Sequence, residues 1–493
     1  MASAKEMPKQ NTQMYAEIIP PRILPRILTR FDLITIYFAL IFGSYGAAQM
    51  AAGGWAAIPM LLLATFTFLV PCAMCAYELG TLFPGEGGIY IWAHKTFGPI
   101  HGFIAGWLSW VPIFLLLPLG ATTIVAYLQV AFRAAWPLWV QVGLQILVVL
   151  AITVISIFHL RLSQGYVRVM FFVALGTAIV AIAAGIAWHG PNTPVTSDVY
   201  SLNLAKHGAL FSVAILWLLG VEVPFNMGAE FKEHRRTAGT MFLWGSITLV
   251  IAYILGIVGV LLTTPIDKID ATTGVARAVM TVSMPLGIVV AIAIVFAISS
   301  QDVAYMNSYS RLLFISGIER RLPEVVGQVT ERTRVPLPAL LVQALGASFV
   351  ILIFSTQANL AVAFNLYIAA LITVWCASLF YIYFGVLRAR SRYSDQYKQR
   401  AGEVWQIPGG RFGLILVFLI GAIFNSAAIY YVFALPLTPD ITAHSWRMWL
   451  GGISLVVVAC GTLIFKLSEK RVKRLTLDSA LAKYAHFDPP TEK

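Results

Sequence analysis

The sequence predicts an all-α polytopic membrane protein with twelve transmembrane helices. Of its 493 residues, 59% are hydrophobic and only 11% charged, and the mean hydropathy is +0.80, values that exclude a soluble domain of this length. Apolar stretches long enough to cross a bilayer recur at 31–51, 55–82, 99–132, 136–159, 165–188, 208–231, 239–262, 284–314, 336–356, 360–387, 411–435 and 446–467. Charge placement is the third observation. With both termini cytoplasmic, every Lys and Arg falls on the inner side except Arg133, Lys206, Lys268, Arg277 and Arg447. The net charge of +12 therefore reads as the positive-inside pattern, and no nucleic-acid partner is implied. The expected location is the cell (cytoplasmic) membrane, crossed many times.

Residues 1–30, with Pro20, Pro21 and Pro25 and no cleavable signal pattern, read as a cytoplasmic tail. Asp32 stands where an acid favours the start of the first helix. That helix is apolar as far as Gly43-Ser44-Tyr45-Gly46. Small residues at this spacing serve close helix packing or mark an unwound centre. An unwound centre would offer amide groups to a carboxylate and carbonyls to an ammonium group. Cys72, Cys75, Cys376 and Cys460 all lie within predicted spans; no second Cys or His pair accompanies Cys72 and Cys75, so they read as packing residues, with no metal and no cofactor expected. The glycine-rich connection Phe83 to Gly98 follows no strand and precedes no Lys-Ser/Thr, which argues against a nucleotide loop. On the third helix Trp107 and Trp110 lie one turn apart and either line a pathway, with a gating role, or pack against core or lipid. His159, Arg161 and Arg168 read as a solvated inner patch.

The chain is organised around Leu210 to Lys232, where Leu219-Gly220-Val221-Glu222-Val223-Pro224 places an acid between two helix breakers at mid-depth. Glu222 lies ten residues from Lys232 and fifteen from His207, roughly 15 and 22 Å along a helix rising about 1.5 Å per residue, so neither flank reaches it. Glu230, by contrast, lies close enough to Lys232-Glu233-His234-Arg235-Arg236 to pair with those cations. The outer loop Thr263 to Ser283 has room for a short lid helix. In the eighth predicted helix, Asp302 is a second deep acid, and Asp302, Tyr305 and Tyr309 share a face. Asp302 then joins an aromatic-lined cavity, is held by Ser and Tyr hydroxyls, or faces the outer vestibule. Non-helical backbone inside a membrane protein lines a cavity or is buried in protein, so the breaks at Gly43 and Gly220 are expected to form opposite walls of one site.

Glu78, Pro84, Gly87-Gly88, Tyr90, Trp92 and Phe97-Gly98 resemble the amino acid-polyamine-organocation (APC) superfamily, with wording similar to its glutamate/GABA antiporter-like branch. Gly220-Val221-Glu222 resembles that branch too, as do Arg311-Leu312, Leu322-Pro323 and Val335-Pro336-Leu337-Pro338. The resemblance covers the first ten predicted helices and implies the LeuT-type fold, a 5+5 inverted repeat plus two C-terminal helices. It divides the chain into a tail (1–30), a first repeat (31–188), a second repeat (208–387), a basic cytoplasmic loop (388–410), two added helices (411–467) and a C-terminal tail (468–493). Tyr45 departs from the family's Gly-Ser-Gly break, and no Lys stands between Val169 and Ala187, so a lysine-based proton mechanism is not supported.

No Ser/His/Asp set or paired catalytic carboxylates occur within the spans, and the eight His lie at helix ends or in loops, so no enzyme is expected. The reading is a secondary transporter moving a small amino acid or organic amine by alternating access, through proton-coupled uptake or exchange against a counter-substrate. The alternatives are a polyamine or cationic amine permease and, in a different class, a channel or receptor-like protein. Gly43, Ser44, Tyr45 and Gly46 would bind a carboxylate, Leu219 and Gly220 an ammonium group, and Asp302 and Tyr305 would line the pocket. Glu222 would titrate during the cycle or hold a gate. Sodium coupling through Ser308 and Ser310 and a homodimer are left open.

Overall fold

The computed structural model describes residues 14–356, 360–438 and 440–472, together with Tyr484 and Phe487. The outer parts of both expected tails, 1–13 and most of 473–493, lie outside the described residues. Helices dominate; the isolated bridges among the described residues pair Leu28 with Phe231 and Ala401 with Val404.

In chain order the main helices are α1 (Arg30–Ile41) and α2 (Ser44–Ala51), bent by 42° at a short break, then α3 (Gly54–Leu82). A buried helix follows, α4 (Gly88–Phe97), then α5 (Pro99–Phe132), α6 (Leu138–Ile157), α7 (Leu160–Ala187) and the short α8 (Leu204–Leu216). A 3-10 segment, Val223–Glu230, leads to α9 (Arg235–Thr263). The loop from Thr263 to Ser283 contains α10 (Gly274–Val282). The chain continues as α11 (Met284–Ile318), α12 (Leu337–Ser355), α13 (Asn365–Arg392), α14 (Gly410–Ala434) and α15 (Ala443–Val472).

Among the described residues, ten of these helices are long and apolar enough to cross a membrane, eleven with the bent α1–α2 pair taken as one span. The expected stretch 208–231 is the exception: its helical half, α8, has only 13 residues, because the chain unwinds at Trp217. Helix α13 is central, with 72% of its apolar window buried, whereas α15 has 17% and lies at the rim. Phe66, Trp139, Leu345, Phe412 and Leu455 are exposed, as expected for side chains facing lipid.

Local chemistry explains the boundaries. Thr29 and Asp32 form a reciprocal capping box that opens α1, with Thr29 N donating to Asp32 Oδ2 at 2.9 Å and Asp32 N to Thr29 Oγ1 at 3.3 Å. Arg168 on α7 pairs with the same carboxylate, so this residue of the expected solvated patch is an inter-helix tie. Helix α4 stands where the sequence showed only a connection. Glycines with φ +94° and +105°, Gly87 and Gly98, bound it, and Ile89, Tyr90, Ile91 and Trp92 are buried.

Candidate functional site

The first break begins where Phe42 and Gly43 turn extended, with φ/ψ of −80°/117° and −123°/123°. Two tyrosines satisfy the backbone this releases. Tyr253 on α9 donates its hydroxyl to the Ile41 carbonyl at 2.7 Å and accepts from Gly43 N at 3.1 Å, while Tyr305 on α11 donates to the Leu40 carbonyl. A side chain at Gly43 would collide with the Tyr45 ring, whose Cε1 stands 2.6 Å from the position a Cβ would take. The break therefore stays open because polar partners from other helices substitute for the missing turn.

The second break mirrors it. Helix α8 ends at Leu216, Trp217 leaves helical geometry, and Gly220 adopts φ +106°, a conformation that favours glycine. Pro224 has no N–H to contribute to a helix and opens the 3-10 segment. The two breaks adjoin: a Cβ on Gly220 would lie 3.5 Å from Ile41 Cγ1 and 3.6 Å from the Leu40 carbonyl oxygen. Gly46 is likewise roofed by Trp217, whose ring would be 2.5 Å from a Cβ there. Trp217 also meets Tyr45 edge-on at 4.7 Å and donates Nε1 to Gln49 Oε1 at 2.8 Å.

Glu222 sits just inside this junction and is 1% exposed. Its Oε1 accepts from Trp375 Nε1 of α13 at 2.8 Å and from Ser109 Oγ of α5 at 3.5 Å. Its Oε2 is buried with no hydrogen-bond partner among the described residues. Asp302 is also buried, and its Oδ2 has no such partner either; it packs on Gly120 of α5, where a Cβ would come within 2.2 Å. Tyr305 and Tyr309 continue that face toward Trp375, with Tyr309 and Trp375 rings 6.2 Å apart. Among the described residues no ion pair reaches either acid.

Of the residues singled out from sequence, Gly43, Ser44, Tyr45, Gly46, Leu219, Gly220, Glu222 and Tyr305 converge around the two breaks. Trp107 stands apart: it donates to the Val457 carbonyl on α15 at 2.9 Å and covers Gly461. Trp110 packs edge-on against Phe114 at 4.8 Å. Sequence reasoning missed Trp375, Ser109, Tyr253, Gln49 and Gln301, which accepts from Tyr45 Oη at 3.2 Å. A mid-span Trp or Tyr needs a partner for its polar tip, and that was the available signal. Glu230 does not reach the cations that follow it in sequence; its partner is Arg311 of α11 at 3.2 Å. A cavity of about 500 Å³ is lined by Gln49, the partner of Trp217, and by Thr122, Gln145, Phe354 and Tyr367 among others.

The amino acid permease family model matches residues 28–459. An uncharacterized transporter of Legionella pneumophila is 24% identical over 426 residues, covering 83% of this chain and 90% of the relative. A protein named a probable agmatine/putrescine antiporter, from Lactococcus lactis, is 26% identical over 254 residues, 50% of this chain and 53% of that one. A glutamate/gamma-aminobutyrate antiporter of the same species is 22% identical over 471 residues, covering 90% and 91% of the two chains.

Proposed function

Since the chain belongs to the amino acid permease family, and is therefore a membrane transporter rather than an enzyme, we propose that it exchanges small organic amines, of the diamine or γ-amino acid type, by alternating access between the two faces of the membrane. One observation carries this reading: the buried Glu222 carboxylate at the junction of two facing helix breaks, with one oxygen held by Trp375 and Ser109 and the other, among the described residues, without a hydrogen-bond partner. A half-satisfied carboxylate in a dry site favours a cation that can complete it. A substrate ammonium group does so on binding, and a proton does so when the site is empty, which ties transport to pH.

Asp302 and the ring faces of Tyr309 and Trp375 suit the apolar stem and second amine of an extended substrate. An amino acid's carboxylate would face the first-turn amides of Ser44 and Tyr45. A 5+5 inverted repeat would supply the rocking of one half against the other, and the cavity lined by Gln49, the residue that Trp217 Nε1 bonds, would be the approach from outside. Two relatives are named antiporters of amines or of glutamate and γ-aminobutyrate, which supports exchange over channel conduction.

The test is counterflow into proteoliposomes. Vesicles loaded with unlabelled putrescine or γ-aminobutyrate are expected to take up the labelled amine, and empty vesicles are not. Equal uptake by empty and loaded vesicles would overturn the exchange reading.

A further inference from the structure

A second buried charge cluster lies toward the inner side, where the loop after α3 meets the 3-10 segment after the second break. Glu86 comes from the loop, Glu230 ends the 3-10 segment and Arg311 comes from α11; they are 0%, 1% and 0% exposed. Arg311 Nη2 lies 3.2 Å from Glu230 Oε1 and its Nε 3.9 Å from Glu86 Oε1. The guanidinium also donates to the Asn307 carbonyl at 3.1 Å and to Ser310 Oγ at 3.3 Å. Glu86 Oε2 accepts from the Ala229 amide at 3.0 Å. Glu86 Oε1, Glu230 Oε2 and both side-chain polar atoms of Asn226 are buried without hydrogen-bond partners among the described residues.

Two carboxylates share one guanidinium, so with every group ionised the cluster carries one uncompensated negative charge away from water, an arrangement that is costly. The cheapest neutralisation is one proton. We propose that Glu86 and Glu230 form a one-proton site, with the proton on Glu86 Oε1, that holds the inner side of the transporter closed.

Glu86 is the member less well served by Arg311, and it lies in the loop between spans. Burial raises its carboxyl well above the ordinary range, Glu230 raises it further, and Arg311 and the Ala229 amide pull the other way. Several other charged groups on the neighbouring elements are engaged elsewhere. Glu17 pairs with Lys95 at 2.6 Å, Arg30 with Glu233 at 2.7 Å, Asp32 with Arg168, and Glu319 accepts from the Ala16 amide at 3.0 Å.

The same residues form the closure. Gly228 lies so near Gly85 that a Cβ would sit 2.1 Å from its carbonyl oxygen, and Gly87 N donates to the Asn226 carbonyl at 3.0 Å. Opening here would admit cytoplasmic water, and the Glu86 carboxylic acid would release its proton to that water, leaving a solvated carboxylate. Closing reverses the step. The sign follows: deprotonation leaves a net charge in the dry, closed arrangement, so rising pH favours opening.

Infrared difference spectroscopy of the purified, substrate-free full chain over a pH series in H2O and D2O reads protonated carboxyl groups directly. Beside the component from Glu222, which Glu222→Gln removes, wild type is expected to show a second protonated-carboxyl component at neutral pH that disappears in Glu86→Gln and, independently, in Glu230→Gln, because either change leaves one carboxylate for one guanidinium. Glu86→Asp, which keeps the charge, is expected to retain that second component, as are Glu222→Gln and Asp302→Asn, which report on the other site. Protection of the Gly87 and Ala229 amides against hydrogen exchange, corrected for intrinsic rates, is expected to fall as pH rises in wild type and to lose that dependence in Glu230→Gln. A spectrum that loses no protonated-carboxyl component in Glu86→Gln, or none in Glu230→Gln, overturns the proposal. None of these readouts needs a transported substrate, so their failure is separable from failure of the exchange reading.

Discussion

At the scale of single residues, Glu222 and Gly220 can be tested separately because the geometry assigns them different physics. Gly220 has room for a methyl group, with nothing nearer than 3.5 Å to the Cβ position, but its φ is +106°. Gly220→Ala is therefore expected to cost about 1–3 kcal/mol through backbone strain alone, read as a lower melting temperature and loss of exchange. An unchanged melting temperature would show that the break does not depend on that conformation. Glu222→Gln keeps the size and an acceptor for Trp375 but removes the charge. A charged hydrogen bond is worth about 1.5–3 kcal/mol, so amine affinity is expected to fall on the order of 10- to 100-fold, measured by equilibrium binding. Unaltered affinity would confine Glu222 to a gating role. Both residues were legible in the sequence, since an acid held between Gly and Pro in an apolar run is too costly at mid-depth to persist without a task. Trp375 was not, because a tryptophan in a span is equally at home against lipid, and only the fold brings its Nε1 to Glu222.

The elements that hold the site are tied down by charge networks that reach across the sequence. Glu78 on α3 is fully buried and accepts from Arg390 Nε and Nη2, both at 2.6 Å, from Tyr397 Oη at 2.8 Å and from Ile407 N at 2.7 Å. It thereby pins the basic loop between α13 and α14 against α3. Glu78→Gln is expected to destabilise by at least about 2 kcal/mol, because Arg390 loses its counter-charge, and to speed proteolytic cutting between Tyr393 and Gly409. Cutting at the wild-type rate would mean the loop is anchored elsewhere. The sequence marked Glu78 by its motif but could not supply partners more than three hundred residues away.

The N-terminal turn Tyr15–Ile18 docks through the Ala16 amide on Glu319, whose carboxyl burial lifts to about 7. A raised carboxyl favours the docked turn while protonated, so docking is expected to weaken as pH rises from about 4.5 to about 7 and to level off above that. Hydrogen exchange at Tyr15–Ile19, corrected for intrinsic rates, checks this, and exchange independent of pH would rule it out. Helix α4 reads from sequence as a loop because ten residues flanked by glycines fall short of a span, and its burial is set by the helices around it.

For the whole molecule, hydropathy predicted most of the spans, since a bilayer imposes length and polarity on each helix separately. What the sequence could not show was how the breaks meet. Glu230 looked paired to its neighbours along the chain, yet the unwinding at Trp217 turns it toward Arg311 instead. Facing breaks, a half-bonded carboxylate and two buried acids on one arginine fit the proposed exchange of cations by alternating access. The most direct test is the melting temperature of purified protein titrated with putrescine, agmatine, γ-aminobutyrate and glutamate, in wild type and Glu222→Gln. Saturation at a hundredfold above Kd stabilises by about 2.7 kcal/mol, enough to resolve as a shift. The amines are expected to raise the wild-type midpoint more than glutamate does, and Glu222→Gln to abolish most of that difference. Stabilisation by glutamate alone, or amine shifts indifferent to Glu222→Gln, would contradict a cation site at the paired breaks.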